Sequence, residues 1–213
     1  MEALSFRVGF ILLAVLCLVL LLLYKMYHNP FKKLLQKAQQ GDPQAQYELG
    51  KMFYTGRHTR QDHAQAFAWF LSAAQNGCTP AMTALAGLYH AGYGCVRNEE
   101  KAFEWYHAAA QAGSFEGRVN LAICYLKGMG TAQDEAQGFA LMKAAADDNS
   151  PLAQTLTADL YERGIGTPAD TKMAFHYYLM AAKQGEPLAK QHLSRFRPDG
   201  TKVSAVPQNP TGL

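Results

Sequence analysis

Cysteine is scarce in this chain. Of the four, Cys17 lies in an apolar run, which leaves Cys78, Cys95 and Cys124 for the rest of the sequence. Three thiols without a CxxC pair argue against a disulfide framework or a structural zinc site, so they read as free, and Cys124 as buried and inert. Metal-ligand spacing is missing as well. His58, His63, His90, His107 and His176 form no HExxH and place no two rings on one helical face, so they read as surface or groove residues. No local setting brings Ser, His and Asp together, or Cys and His, as a nucleophile and its base require. The adjacent carboxylates Glu99-Glu100 and Asp147-Asp148 point apart on a helix or loop and read as solvated. No enzyme, cofactor or small-molecule substrate is therefore expected. A charge excess is lacking too: 20 Lys+Arg against 17 Asp+Glu leave +3, too little to imply nucleic acid.

What is present begins with an apolar run. Val8 to Tyr24 carries no charge over 17 residues, about 25 Å as a helix, slightly short of a bilayer core. Phe6, Tyr24 and Tyr27 at the interfaces and a snorkelling Lys25 close that gap. A cleaved signal peptide would need a small-x-small site, and "LLYKMYHNP" follows instead. Lipoprotein processing at Cys17 is disfavoured by the bulk of Leu16. The expectation is a single-pass anchor in a bacterial inner membrane, with residues 1–7 as a short tail and 25–37 as a basic juxtamembrane segment. Lys25, Lys32, Lys33 and Lys37 on one flank, against Arg7 offset by Glu2 on the other, favour a cytoplasmic C-terminal domain. The alternative is a periplasmic one.

The loop "GIGTPAD" from Gly164 looks like a phosphate cradle, yet it recurs as "GMGTAQD" from Gly128 and "GYGCVRN" from Gly92. With a period of 36, Gly56 is the degenerate first copy. Asp62, Asn98, Asp134 and Asp170 share a phase, as do Phe67, Phe103, Phe139 and Phe175, and alanine pairs recur from Ala73 to Ala182. Such self-similarity marks a repeat array. Each copy reads as two helices. Asp42, Ser114 or Ser150 caps the first, with Pro43 and Pro151 at the first helical position. The Asp/Asn position caps the second, and Gly77, Gly113, Asn149 and Gly185 end it. The glycine loop is thus a helix–helix turn. No strand precedes it and no P-loop lysine follows.

The stretch "AMTALAGLYHAGYGCVRNEEKAFEWYHAAAQAG", Ala81 to Gly113, resembles the Sel1-like repeat, a relative of the tetratricopeptide repeat. The resemblance covers four copies (about 41–76, 77–112, 113–148 and 149–185) and a capping helix at 186–197, together a domain over 38–197, before a disordered tail at 198–213. It implies an all-α fold, an α-solenoid of helix-turn-helix repeats whose stacked pairs share one core. Trp69, Trp105, Tyr177 and the phenylalanines then pack that core. Departures are "GRHTRQD" in the first copy and Thr157 where a leucine is expected. The resemblance also implies an adaptor or scaffold that holds a protein segment in a groove lined by first helices. By phase, the groove positions are Tyr47, Lys51 and Tyr54; Thr83, Gly87 and His90; Val119, Ile123 and Leu126; and Thr155, Asp159 and Glu162. Val119, Ile123 and Leu126 are expected to form an exposed apolar patch beside Gly87. Alternatives are an exported envelope protein of glycan systems and an immunity-type protein that binds a toxin.

Overall fold

An acceptor side chain followed by proline starts helices at Asp42-Pro43 and Ser150-Pro151. The acceptor satisfies a free amide, and the proline ring presets φ. The computed structural model, which describes residues 15–19 and 30–202, has helices beginning at both points. The chain forms two compact units. The first, up to Cys78, contains α1 (Pro30–Gln39), α2 (Pro43–Thr55) and α3 (His63–Gln75). The second, from Thr79, contains α4 (Thr79–Ala91), α5 (Glu99–Gln111), α6 (Phe115–Lys127), α7 (Glu135–Asp147), α8 (Pro151–Arg163), α9 (Thr171–Lys183) and α10 (Pro187–Leu193). Among the described residues there is no strand, only an isolated bridge between Phe196 and Lys202.

The recurrent Asp/Asn position has two jobs. Its side chain accepts from the backbone N–H three residues on: Gln65 to Asp62 at 3.0 Å, Lys101 to Asn98 at 2.8 Å, Gln137 to Asp134 at 2.9 Å and Met173 to Asp170 at 3.0 Å. Its own N–H donates back to the first helix, to the carbonyls of Phe53, Tyr89, Tyr125 and Tyr161, each at 2.9 Å. One residue thereby caps the second helix and ties it to the first. The two loop glycines divide their work as well. Gly128 and Gly164 end α6 and α8 in the left-handed region, at φ 66° and 68°. Gly130 and Gly166 are needed for close approach: a Cβ there would stand 2.0 Å from the backbone carbonyl oxygen of Glu99 or Glu135, in the preceding repeat. In the first copy His58 holds the in-phase position and takes φ 66°.

Inside the second unit the repeats interlock by phase. Phe103 meets Tyr125 edge-on at 5.4 Å, and Phe139 meets Tyr161 at 5.0 Å, each pair joining a second helix to the next first helix. Such edge-to-face pairs are favourable beyond the area they bury. Ala109, Ala145 and Ala181 are wholly buried. A Cβ on Gly117 would come within 2.7 Å of that of Ala109, so at this point α5 and α6 touch through small residues. Tyr177 and Tyr178 are buried, as the aromatic pattern implies, whereas Trp69, Trp105 and the four phased phenylalanines are half-buried.

Two segments differ from the sequence-based expectation. The basic segment assigned up to residue 37 is, from Pro30 onward, helix α1, packed on α2. Phe31, Leu34, Leu35 and Ala38 recur at helical spacing and join a cluster with Ala45, Leu49, Phe53 and Trp69. Phe31, Ala38 and Gly41 lie 36 residues before Phe67, Ala74 and Gly77, so α1 is in phase with the second helices of the repeat pattern. At the other end, residues 198–202 were expected in a disordered tail. They fold back, with the Arg197 N–H donating to the Thr201 carbonyl at 2.7 Å and Gly200 against the Phe175 ring. The rest of that tail lies outside the described residues. So does most of the apolar run Val8 to Tyr24, of which residues 15–19 are described, helical and exposed. Among the described residues no helix is long and apolar enough to cross a membrane.

The glycine geometry separates two substitutions of like chemistry. Gly164→Ala places a Cβ in the left-handed region and should cost about 1–2 kcal/mol. Gly166→Ala adds a clash with backbone that only separating the repeats relieves, and should cost about 3 kcal/mol or more. Urea unfolding of the two variants checks the order; equal losses would mean that the close approach contributes nothing.

Candidate functional site

Ile123 and Leu126 are one turn apart on α6, and Leu156 and Leu160 one turn apart on α8. With Met142 of α7 and Ile165, the residue between the two loop glycines, they line a cleft of about 400 Å³. Gly138 explains how Leu126 reaches it: a Cβ on Gly138 would stand 2.6 Å from the leucine Cγ. The rim is polar. Arg163 donates to Asp159 at 3.2 Å, and Gln133 bridges the Leu126 carbonyl at 3.0 Å and Glu135 at 3.1 Å. Lys127 completes the rim with its side chain exposed. An apolar floor with a charged, hydrogen-bonded rim suits a side chain inserted from a partner segment. Among the described residues, no group of three or more His, Cys, Asp and Glu side chains is placed to hold a metal ion.

The groove positions named from the sequence separate into those the cleft gathers and those it does not. Ile123, Leu126 and Asp159 line it. Val119 does not: it is 7% exposed and sits in the core with Ala122 and Met142, so the expected exposed patch is corrected. Leu156, Leu160 and Ile165 supply apolar wall in its place. Gly87 is helical and has only the Tyr106 hydroxyl within 4 Å of where its Cβ would be. Thr83 shares a hydrogen bond with Ser114 at 3.3 Å, and His90 lies 3.7 Å from Glu99. Thr155 is buried and donates back to the Pro151 carbonyl at 2.9 Å. In the first unit, Lys51 pairs with Glu48 at 3.1 Å, stands 5.2 Å over the Tyr47 ring, and lines a separate cleft with Met52, Thr55, Arg57 and His58. Tyr54 is exposed, its ring 5.4 Å from that of His63. The wall residues missed from the sequence left one legible sign. The position between the loop glycines is apolar in every intact copy, as Tyr93, Met129 and Ile165.

The Sel1 repeat family matches at residues 43–78, 79–114, 116–150 and 151–186, which is most of the folded chain. The chain belongs to the Sel1 repeat family. Its fold is similar to that of a protective antigen of uropathogenic Escherichia coli strains displaying an SLR fold, at TM-score 0.73 and 34% identity. That likeness covers 76% of this chain but only 35% of the other, so this chain spans about a third of that protein's length. A Sel1 repeat protein from Oxalobacter formigenes is similar at TM-score 0.72 and 27% identity, over 77% of this chain and 68% of that one. A search of curated proteins found no match. Sel1 repeat proteins are in general protein-interaction scaffolds, and this chain is an all-helical α-solenoid of that kind.

Within the Sel1 array, Cys124 is 1% exposed, and burial first, then the charge of Glu99, pushes its thiol up to about 11. It stays protonated and unreactive at neutral pH. Thr157 is wholly buried, and its hydroxyl has no hydrogen-bond partner in the structure. Glu162, named as an acidic groove position, is a correction. It lies one period after Leu126, but its side chain is only 7% exposed because the C-terminal cap covers it. Tyr178 donates to it at 2.9 Å, Arg195 at 3.1 Å and Lys202 at 2.9 Å, with His192 at 3.9 Å. Burial alone would push the Glu162 carboxyl up. The hydrogen bonds from Lys202 and Tyr178 and the charges of Arg195 and Lys202 outweigh it, and the group sits below the usual carboxylate range.

A depressed folded pKa contributes stability that is present above the unfolded value and lost as pH falls through the folded one. Glu162→Gln should therefore lower stability at neutral pH by about 2 kcal/mol, or about 4–8 °C in Tm. The gap between variant and parent should close as pH drops below about 4.3. Thermal melts of both proteins from pH 7 to pH 3 read this directly, and a gap independent of pH would mean that the carboxylate charge does not hold the cap.

Proposed function

We propose that this Sel1 repeat protein is a membrane-anchored adaptor or scaffold that binds a protein segment in the cleft between α6 and α8. The carrying observation is the cleft itself, where Ile123, Leu126, Leu156 and Ile165 leave apolar surface unfilled inside a polar rim. Clefts of this make-up are where hot-spot side chains of partners insert. The apolar run Val8 to Tyr24 supports the anchor, and the lysines after it support repeats on the cytoplasmic side. A second reading, with the repeats exported, draws on the similarity to the protein described as a protective antigen.

Two substitutions test the cleft. Leu156→Asp puts a charge in its wall, and Lys127→Glu reverses the rim at an exposed side chain that the fold does not use. Affinity capture from detergent-extracted membranes should lose the partner about 30-fold with Leu156→Asp and more weakly with Lys127→Glu, while both variants melt cooperatively. Unchanged capture by both folded variants would place partner binding elsewhere. A reporter active only in the periplasm, fused after Leu213, should stay silent; activity would favour the exported reading.

A further inference from the structure

We infer that the outward face of α1 docks on a membrane surface of anionic lipid headgroups. This rests on the anchored reading, and three observations carry it. First, α1 spends its apolar side on the protein: Phe31, Leu34, Leu35 and Ala38 pack on α2. Membrane insertion of that face is thereby excluded, and only the other face is free. Second, that face carries Lys32, Lys33 and Lys37, all exposed, on a helix without a single acidic residue. At about 100° per residue the three fall within an arc of roughly 140°. Among the described residues, no carboxylate pairs with any of them. Third, charge is divided unequally. Residues 30–78 carry six Lys/Arg against three Asp/Glu, while residues 79–202 carry twelve against thirteen. The positive excess of the described chain thus lies entirely with the unit containing α1.

Chain length names the occupant. Five residues separate Tyr24, the end of the apolar run, from Pro30, and a chain of that length spans at most about 20 Å. With the run in a bilayer, α1 is held close to the headgroups. Each lysine near an anionic leaflet is attracted within a Debye length of about 10 Å at 0.1 M salt. Three lysines bind weakly from solution, but the tether makes the contact an intramolecular one. Docking would lay the start of the repeat array against the membrane, instead of leaving it to swing on a linker.

The test uses the full chain in lipid nanodiscs, either of phosphatidylcholine alone or with a third of phosphatidylglycerol. Lysine acetylation rates are read by peptide mass spectrometry, with the exposed Lys172, Lys183 and Lys190 as internal references. Lys32, Lys33 and Lys37 should react about threefold more slowly, or slower still, in the anionic discs at about 0.1 M salt, and the difference should vanish near 1 M. The variant Lys32→Glu with Lys33→Glu and Lys37→Glu should melt as the parent does. A Cys placed at Ser72 and labelled with a fluorophore should be quenched by headgroup-quencher lipids in anionic discs less in this variant than in the parent. Equal acetylation rates in the two lipids overturn the docking, as does equal protection by duplex DNA added to neutral discs. The anchor is read separately: a chain that fails to remain with neutral discs on gel filtration refutes the anchor, whereas one that remains but shows no lipid-dependent protection refutes only the docking.

Discussion

The backbone approach between successive repeats is the contact on which the second unit depends. The loop at Gly130 lies against the Glu99 carbonyl and the loop at Gly166 against that of Glu135, with no room for a single added carbon. A helix pair of two 13-residue helices cannot bury its apolar faces alone. It must borrow a surface from the next pair, and the approach distance decides how well the borrowed surfaces fit. With the loops seated, Phe103 reaches Tyr125 and Phe139 reaches Tyr161 in the same geometry one period apart. Displacing one loop would open its edge-to-face pair and the alanine contacts behind it together, because close-packed interiors do not yield gradually.

Within three of the four repeats, a polar clasp joins the first helix to the end of the second, and its two members change together. Asn76 donates to Gln46 at 3.0 Å, Gln184 donates to Gln154 at 2.9 Å, and Arg118 pairs with Asp148. In the second repeat the same two positions are Met82 and Ala112, and both members are apolar. The logic is the cost of an unmatched buried polar group, which exceeds the gain from a matched one. Gln154 is wholly buried and also donates to Asn149 and to the Ala146 carbonyl, so its own side-chain oxygen would be stranded without the exposed Gln184. Thr157 shows the opposite case, a buried hydroxyl for which the array provides no partner.

The cleft and the cap are two outcomes of the same periodic position. Leu126 lines the cleft with Leu156 and Leu160 of α8 opposite it, of which Leu156 is only half-buried. One period later Glu162 replaces Leu126, and Arg195 stands where Asp159 stood. The groove there is closed by ion pairs and by the returning chain at Lys202. A charged closure ends the array without offering a sticky apolar face for another repeat to stack on, while the interior cleft keeps its apolar floor.

Periodicity made much of this molecule legible before any coordinates. The caps at Asp62, Asn98, Asp134 and Asp170, the helix stops at the first loop glycines and the burial of Cys124 all follow from local chemistry repeated at 36 residues, and the structure has them there. Helix α1 was equally readable, since Phe31 and Ala38 are in phase with Phe67 and Ala74 beneath its lysines. Which apolar residues of α6 line the cleft was not readable. Val119, Ile123 and Leu126 are all apolar and all on helical spacing, and nothing local distinguishes a residue covered by the next repeat from one left beside a gap. That choice depends on how far α8 stands from α6, on Gly138 letting Leu126 lean inward, and on Lys202 returning to cover Glu162. Local rules act through neighbours in the chain and so can be read along it, whereas the depth of a cleft is a distance between helices, set only when the repeats are packed together.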